Sequence, residues 1–395
     1  MRHRWLIALS LGAALSASAA TGDAVPGLAV LDTAMTSLMH QYGVPGAALA
    51  VTRNGRLVLA RGYGLADKDA GLPVLPTTPF RLASLSKPIT AAAIMKLAEE
   101  RRLDLDAKVV PLLGLQGLSD PRWSDITVRN LLEHSGGWNR DLAGAVDPIN
   151  EPLTVAATMG TASPPSVETI IAYMARRPLD FSPGTSYAYS PFGYLLLGRV
   201  IERVTGLSYG PYVQSLLVPF GVRNMFLGGS RSAELHPDES HYYDYPGAGL
   251  APSVFSNMPG SVARPDGGLA MGNRDAPGGW VMSAIEYARF LRAIEPQAPG
   301  THLLSSTSVD NMLSRPSIPL WQGASAWYAK GWLVRPGAGV PASWHNGSFP
   351  GTATYAYRAS DGTNYVALFN SLDARGSIFA DIDARLGAAI QSVDA

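Results

Sequence analysis

The sequence predicts an α/β protein in which one sheet-containing lobe is assembled from both ends of the chain and a mainly helical lobe is inserted between them. Three observations predict it. Strand-like apolar runs gather before residue 85 and after residue 327, and the stretch between them carries helical apolar spacing. The chain also has 395 residues, more than the roughly 250–300 that a single core fills. The lobes fall at about 25–85 with 327–395, and at about 86–326, within one domain spanning 21–395. A cleft between two such lobes is where small-molecule sites tend to sit.

Residues 1–20 read as a secretory leader. Arg2 and Arg4 precede an apolar run from Trp5 to Leu15, and Ala17-Ser18-Ala19 has the small-residue spacing of a cleavage site. The run is too short for the roughly 20 residues that a membrane-spanning helix needs. The mature chain is therefore expected outside the cytoplasm, secreted or periplasmic, with no membrane span. A helix follows at 30–39, then a hairpin formed by 47–51 and 56–60 around Asn54-Gly55, two residues that tolerate positive φ. The next helix, 85–101, carries no charge between Ile89 and Met95, which predicts burial nearly all round. From 103 to 313 the pattern is mostly helical, with Pro/Gly-rich loops at 161–166 and 245–268 and a capping box, Ser283 with Glu286, opening one helix. Strand patterns return at 330–334, 352–357 and 365–369, and a helix at 380–390 closes the chain.

Composition narrows the chemistry. The 31 Lys+Arg balance 31 Asp+Glu, which gives no electrostatic basis for holding nucleic acid or an anionic membrane. Cysteine is absent, so disulfides, thiolate metal sites and a Cys nucleophile are excluded. Ser, Lys, Tyr, His and carboxylates remain.

Two serine motifs compete. Gly206-Leu207-Ser208-Tyr209-Gly210 matches the G-x-S-x-G elbow of α/β-hydrolases, but that elbow needs a strand before the serine. Here residues 194–204 have helical spacing, so Gly206 reads as a helix C-terminal glycine and Ser208 as the cap of the next helix. Ser84-Leu85-Ser86-Lys87 instead puts Ser84 and Lys87 on one face at the mouth of the buried helix. Lys87 can reach the Ser84 hydroxyl there, and free N–H groups at the helix start could hold an oxyanion. Lys87 is also the only charge between Leu82 and Met95, and a buried ammonium is costly unless paired or used. Two further segments could reach the same cleft. Tyr187-Ala188-Tyr189-Ser190-Pro191 lies in a loop before a helix beginning near Phe192, and Trp344-His345-Asn346-Gly347-Ser348 precedes the strand at 352. Taken alone, the first also reads as an aromatic core cluster and the second as an edge histidine.

Together these segments resemble the serine β-lactamase and penicillin-binding-protein superfamily, in its class C-like branch of esterases and D-aminoacyl peptidases. The resemblance rests on residues 81–90, on Tyr189-Ser190-Pro191-Phe192-Gly193-Tyr194, and on residues 126–137, which end in Glu133-His134-Ser135-Gly136-Gly137. It extends in order and spacing over nearly all of the mature chain. It implies an antiparallel sheet flanked by N- and C-terminal helices, with the mainly helical lobe inserted, the β-lactamase/transpeptidase-like arrangement. It further implies that Ser84 is the acylated nucleophile, Lys87 its proton partner and Tyr189 the base. A free phenol titrates near 10, so Tyr189 would need the Lys87 cation to favour its phenolate. The amides of Ser84 and Ser348 would form the oxyanion hole, with His345, Asn346 and Gly347 on the strand beside the substrate.

Two departures bear on the substrate. The family's tyrosine motif usually ends in Asn where this chain has Pro191, which removes an orienting amide worth about 1 kcal/mol. His345 stands where true β-lactamases carry Lys, and a largely neutral imidazole attracts a carboxylate less than an ammonium does. The expected activity is therefore that of an esterase or broad acyl hydrolase. A D-aminoacyl peptidase, a weak β-lactamase and a non-catalytic penicillin-binding or sensor protein are the alternatives. The expected partner is a small ester, peptide or β-lactam-like molecule, and no cofactor or metal is implied. His236, His241 and Asp244 lack metalloprotease spacing and read as a polar loop. Trp138, Tyr242 and Trp280, with Tyr243 and Tyr245, are candidate pocket residues; core packing is the other reading of the tryptophans.

Overall fold

A computed structural model describes residues 20–337 and 341–394. The leader read at 1–20 lies, but for Ala20, outside the described residues. An eight-stranded sheet runs in the order Leu72–Pro73, Arg56–Asp67, Gly46–Arg53, Thr363–Phe369, Thr352–Arg358, Ala342–Phe349, Leu333–Arg335, Trp327–Tyr328. Every neighbouring pair is antiparallel, and the two ends of the chain meet where Gly46–Arg53 pairs Thr363–Phe369.

Both faces of the sheet are covered, and the central strands read accordingly as unbroken apolar runs. Ala47, Leu49 and Val51 pack on one face beneath the helices Ala29–Tyr42 and Ile378–Asp394, while Ala48 and Ala50 turn to the opposite face. Tyr365, Ala367 and Phe369 alternate in the same way with Val366 and Leu368. The Asn54-Gly55 turn has φ of 50° and 72°, the left-handed geometry that its residues favour.

On the second face, helix Ser86–Glu99 runs through the middle of the molecule. Each residue from Ser86 to Met95 is buried, as its uncharged stretch predicts. Helix Pro191–Thr205 lies against it, with Ser190 as N-cap and Pro191 at its first position, where a missing N–H costs nothing.

Four local expectations need correction. The loop at 245–268 carries a small hairpin, Leu250–Pro252 with Ser261–Ala263. Ser283 caps its helix by accepting from the Glu286 N–H, but Glu286 does not reciprocate: its carboxylate accepts from the Arg223 N–H and pairs with Arg289. Ser208 occupies an N-cap position after Gly206, at φ 73°, yet its hydroxyl makes no cap; the Glu202 carboxylate takes the Tyr209 N–H instead. The strand expected at 330–334 begins at Leu333, because Ala329–Trp332 forms a turn with Gly331 at φ 84°.

That turn aims Lys330 into the helical lobe. Its Nζ sits 3.0 Å from Glu133 at the end of helix Val128–Leu132, and also donates to the Asn311 carbonyl and the Ser314 hydroxyl. Lys330 is wholly buried and Glu133 nearly so. Breaking such a pair strands a buried charge, so Lys330→Met is expected to lower the unfolding free energy by about 3–5 kcal/mol. Urea denaturation measures this; a variant midpoint equal to wild type would show that the pair does not tie the lobes together.

Candidate active site

Ser84 lies on a single 3₁₀ turn, Ala83–Leu85, between the short strand Phe80–Arg81 and the buried helix. From Arg81 to Met95 it is the one residue not fully buried. Ala83, just before it, holds φ at 48°, a left-handed conformation that costs a non-glycine residue about 1–3 kcal/mol and is tolerated where the surroundings enforce it. They do so here: the Leu82 N–H donates to the Trp280 carbonyl, the Thr354 hydroxyl to the Leu82 carbonyl, and the Tyr287 hydroxyl to the Leu85 carbonyl.

Lys87 follows one turn later and is 1% exposed. Its Nζ donates to Ser84 Oγ at 2.9 Å and to the Pro277 carbonyl at 2.7 Å, and lies 4.9 Å from the centroid of the Tyr189 ring. Both of these hydrogen-bond partners are neutral. Burial pushes the amine well below the usual lysine range; the charges of Arg140 and Arg274 push the same way and Asp147 opposes them. Tyr189 comes in from the loop before helix Pro191–Thr205, and its hydroxyl donates to Ser84 Oγ at 2.8 Å. Burial raises its phenol, more than the Ser84 hydrogen bond and the Arg140 charge lower it. Burial thus opposes the phenolate that the resemblance implies, and it equally disfavours the ammonium that would support that phenolate.

Strand Ala342–Phe349 forms the opposite wall. Gly347 pairs with Thr354 and passes so close to the serine turn that a Cβ there would lie 2.5 Å from the Leu82 carbonyl and 2.8 Å from the Ser84 nitrogen. Only glycine permits this approach. Asn346 and Ser348 face the cavity. His345 is buried, with Nδ1 2.6 Å from the Asn346 carbonyl and Nε2 3.0 Å from the Tyr328 hydroxyl. The carbonyl requires a proton on Nδ1, so Nε2 accepts from Tyr328. Burial, with the Lys87 charge added, lowers the ring to about 3, which leaves it neutral.

The cavity of about 640 Å³ between these walls suits a small-molecule substrate. Pro191 and Tyr245 line it. Trp138, Trp280 and Tyr242 do not, contrary to expectation. Trp138 packs edge-on against Trp123 and Phe192, Trp280 donates its indole N–H to Tyr209, and the Tyr242 hydroxyl is spent between the Arg81 N–H and Glu239. Tyr243 accepts from the Lys68 N–H, and Ser208 is exposed on a helix-helix turn outside the cavity. Among the described residues no group of three or more His, Asp or Glu is placed to hold a metal ion, and no helix is long and apolar enough to cross a membrane. The sequence reading missed Arg140, Asn150, Arg274 and Tyr328. They come from loops, the 3₁₀ turn Met271–Arg274 and the short strand Trp327–Tyr328, and no local pattern marks them as neighbours.

The family model described as Beta-lactamase matches residues 31–389. The chain is 32% identical over 235 residues to esterase EstB of Burkholderia gladioli, 59% of each protein, and 32% identical over 192 residues to protein flp of Staphylococcus aureus, 46% of this chain and 34% of flp. It thus spans about three fifths of the first relative and one third of the second. Among solved structures, the octameric penicillin-binding protein homologue from Pyrococcus abyssi superposes with a TM-score of 0.69 at 25% identity, covering 91% of this chain and 77% of that one. EstCE1, described as a hydrolase with promiscuous acyltransferase activity, shares the fold with a TM-score of 0.71 at 19% identity, covering 91% and 98%.

The electrostatics of Lys87 carry a pH signature. A depressed amine stays free to lower pH, so the rate at which Ser84 is labelled by a neutral fluorophosphonate should hold well below the usual lysine range. Arg140→Gln removes a charge that depresses the amine, which raises its pKa and moves the acid limb to higher pH. A limb that stays put or moves down in this variant would contradict the assignment.

Proposed function

The chain belongs to the beta-lactamase family, and from that membership we propose that it is a serine acyl hydrolase whose preferred substrates are esters. The observation that carries the reading is Ser84 Oγ held within hydrogen-bond distance of both Lys87 Nζ and Tyr189 Oη. The neutral Lys87 amine takes the Oγ proton as the oxygen attacks the substrate carbonyl carbon. The Ser84 and Ser348 amides hold the resulting oxyanion. Collapse breaks the bond to the alcohol, which leaves with a proton relayed from Lys87 through the Tyr189 phenol. Water then attacks the acyl-serine by the reverse relay and releases the acid.

Preference for esters is supported by what the pocket lacks. Pro191 offers no side-chain amide to orient a peptide, and the neutral His345 offers no cation beside the strand. The similarity to EstB agrees with this. The leader motif supports an exported protein, and N-terminal sequencing of the protein recovered outside the cytoplasm should begin at about Thr21; a mature chain still starting at Met1 would refute export by cleavage.

Ser84→Ala is expected to abolish turnover of 4-nitrophenyl butyrate and the covalent adduct found on the Ser84 peptide by mass spectrometry. Lys87→Met should cost about as much, and Tyr189→Phe about 10²–10⁴ in kcat. Ser208→Ala should change nothing. Full activity in Ser84→Ala, or a stable Ser84 adduct with no turnover in the wild type, would overturn the assignment, the latter in favour of a sensor.

A further inference from the structure

Three arginines line the cavity, and their partners differ. Arg140 pairs with Asp147 at 3.0 Å, and Arg264 grips Asp244 through two N–H groups. The other acid on the wall, Asp373, is occupied with the N–H groups of Arg375, Ser377 and Ile378 at the start of the last helix. Among the described residues Arg274 has no such counter-charge. It is 3% exposed, lies 4.9 Å over the Phe349 ring, and donates only to neutral acceptors, Asn150 Oδ1 at 2.7 Å and the Ile149 carbonyl at 2.8 Å. Its buried Nε–H has no acceptor at all. Asp147, the acid that acts on it through space, is already engaged by Arg140.

A buried guanidinium without a carboxylate is expensive, and burial lowers it to about 10. In a cavity that also holds the Ser84 hydroxyl, an uncompensated buried cation is suited to receive an anion from the ligand. Resting on the acyl-hydrolase reading, we propose that Arg274 is the counter-charge for a carboxylate on the substrate, so that the enzyme selects anionic esters over neutral ones. Asn150 holds the fork in place and Phe349 backs its face. His345 cannot compete for that carboxylate, since it is neutral and both its nitrogens are engaged.

The test uses the full-length mature protein and pairs of activated esters that differ only in one charge: the 4-nitrophenyl half-esters of succinate, glutarate and adipate against their methyl-capped counterparts. A matching pair carries the carboxylate on the phenol instead. The wild type is expected to favour one anionic series by about 10- to 100-fold in kcat/KM, the worth of a charged hydrogen bond; the arm that shows the preference identifies the acyl or the alcohol side. Arg274→Gln should collapse that ratio towards one and Arg274→Lys should retain part of it. A ratio is insensitive to the fraction of folded enzyme. Equal rates for charged and capped esters in the wild type, or an unchanged ratio in Arg274→Gln, would overturn the proposal. Absence of turnover on every ester together with no Ser84 adduct would instead refute the underlying acyl-hydrolase reading.

Discussion

The arrangement depends on keeping an amine out of water. Lys87 sits on a helix buried on all sides, and the atoms offered to its Nζ are a serine hydroxyl and a carbonyl, both neutral. A charged ammonium there would lose its hydration with no ion to replace it, and two nearby guanidiniums raise the cost further. The balance is thus shifted towards the free amine, the form that can take a proton from Ser84. The same burial holds Tyr189 as a phenol, able to donate and relay. One desolvated environment shifts both groups towards their neutral forms, and an ion pair at Lys87 would oppose that shift.

Tertiary constraints hold the three groups together. Gly347 allows the strand to press against the serine turn, and the turn is locked by bonds to Trp280, Thr354 and Tyr287. On the other side, Glu133 anchors to Lys330, and its neighbour His134 packs against Tyr189 with ring centroids 4.4 Å apart. The His134 carbonyl accepts from the Ala188 N–H and its Nδ1 from the Ser190 N–H, bracketing Tyr189 from both flanks. The ion pair that links the lobes is therefore one residue away from the contacts that aim the phenol at Ser84.

What could be read from the sequence was local. Asn54-Gly55 marked the hairpin because two positive φ angles are a property of those residues, and the uncharged run from Ile89 to Met95 marked the central helix because burial forbids charge. The Ser84–Lys87 spacing was legible for the same reason, since one helical turn fixes their proximity. The residue pattern alone left strand Ala342–Phe349 unmarked, because Asn346 and Gly347 are poor strand formers; only the family resemblance put His345, Asn346 and Gly347 on a strand. The electrostatic surroundings of Tyr189 were not legible, because the sequence shows the neighbours but not the burial that raises the phenol. Trp138 and Trp280 beside glycines read equally well as pocket or core, and only packing across helices decides for core. Arg140, Asn150 and Arg274 were invisible as a set, since no period connects residues brought together from separate segments of the chain.

The two departures from the family pattern take on a common meaning in the structure. Pro191 replaces an amide at a position where the helix start accepts proline without loss, and His345 replaces a cation at a position too buried to hold one cheaply beside Lys87. Charge recognition then falls to a guanidinium on another part of the cavity wall, where the loop carrying Ile149 and Asn150 supports Arg274. The pocket's selectivity is then set less by how many arginines line it than by which of them already have a partner.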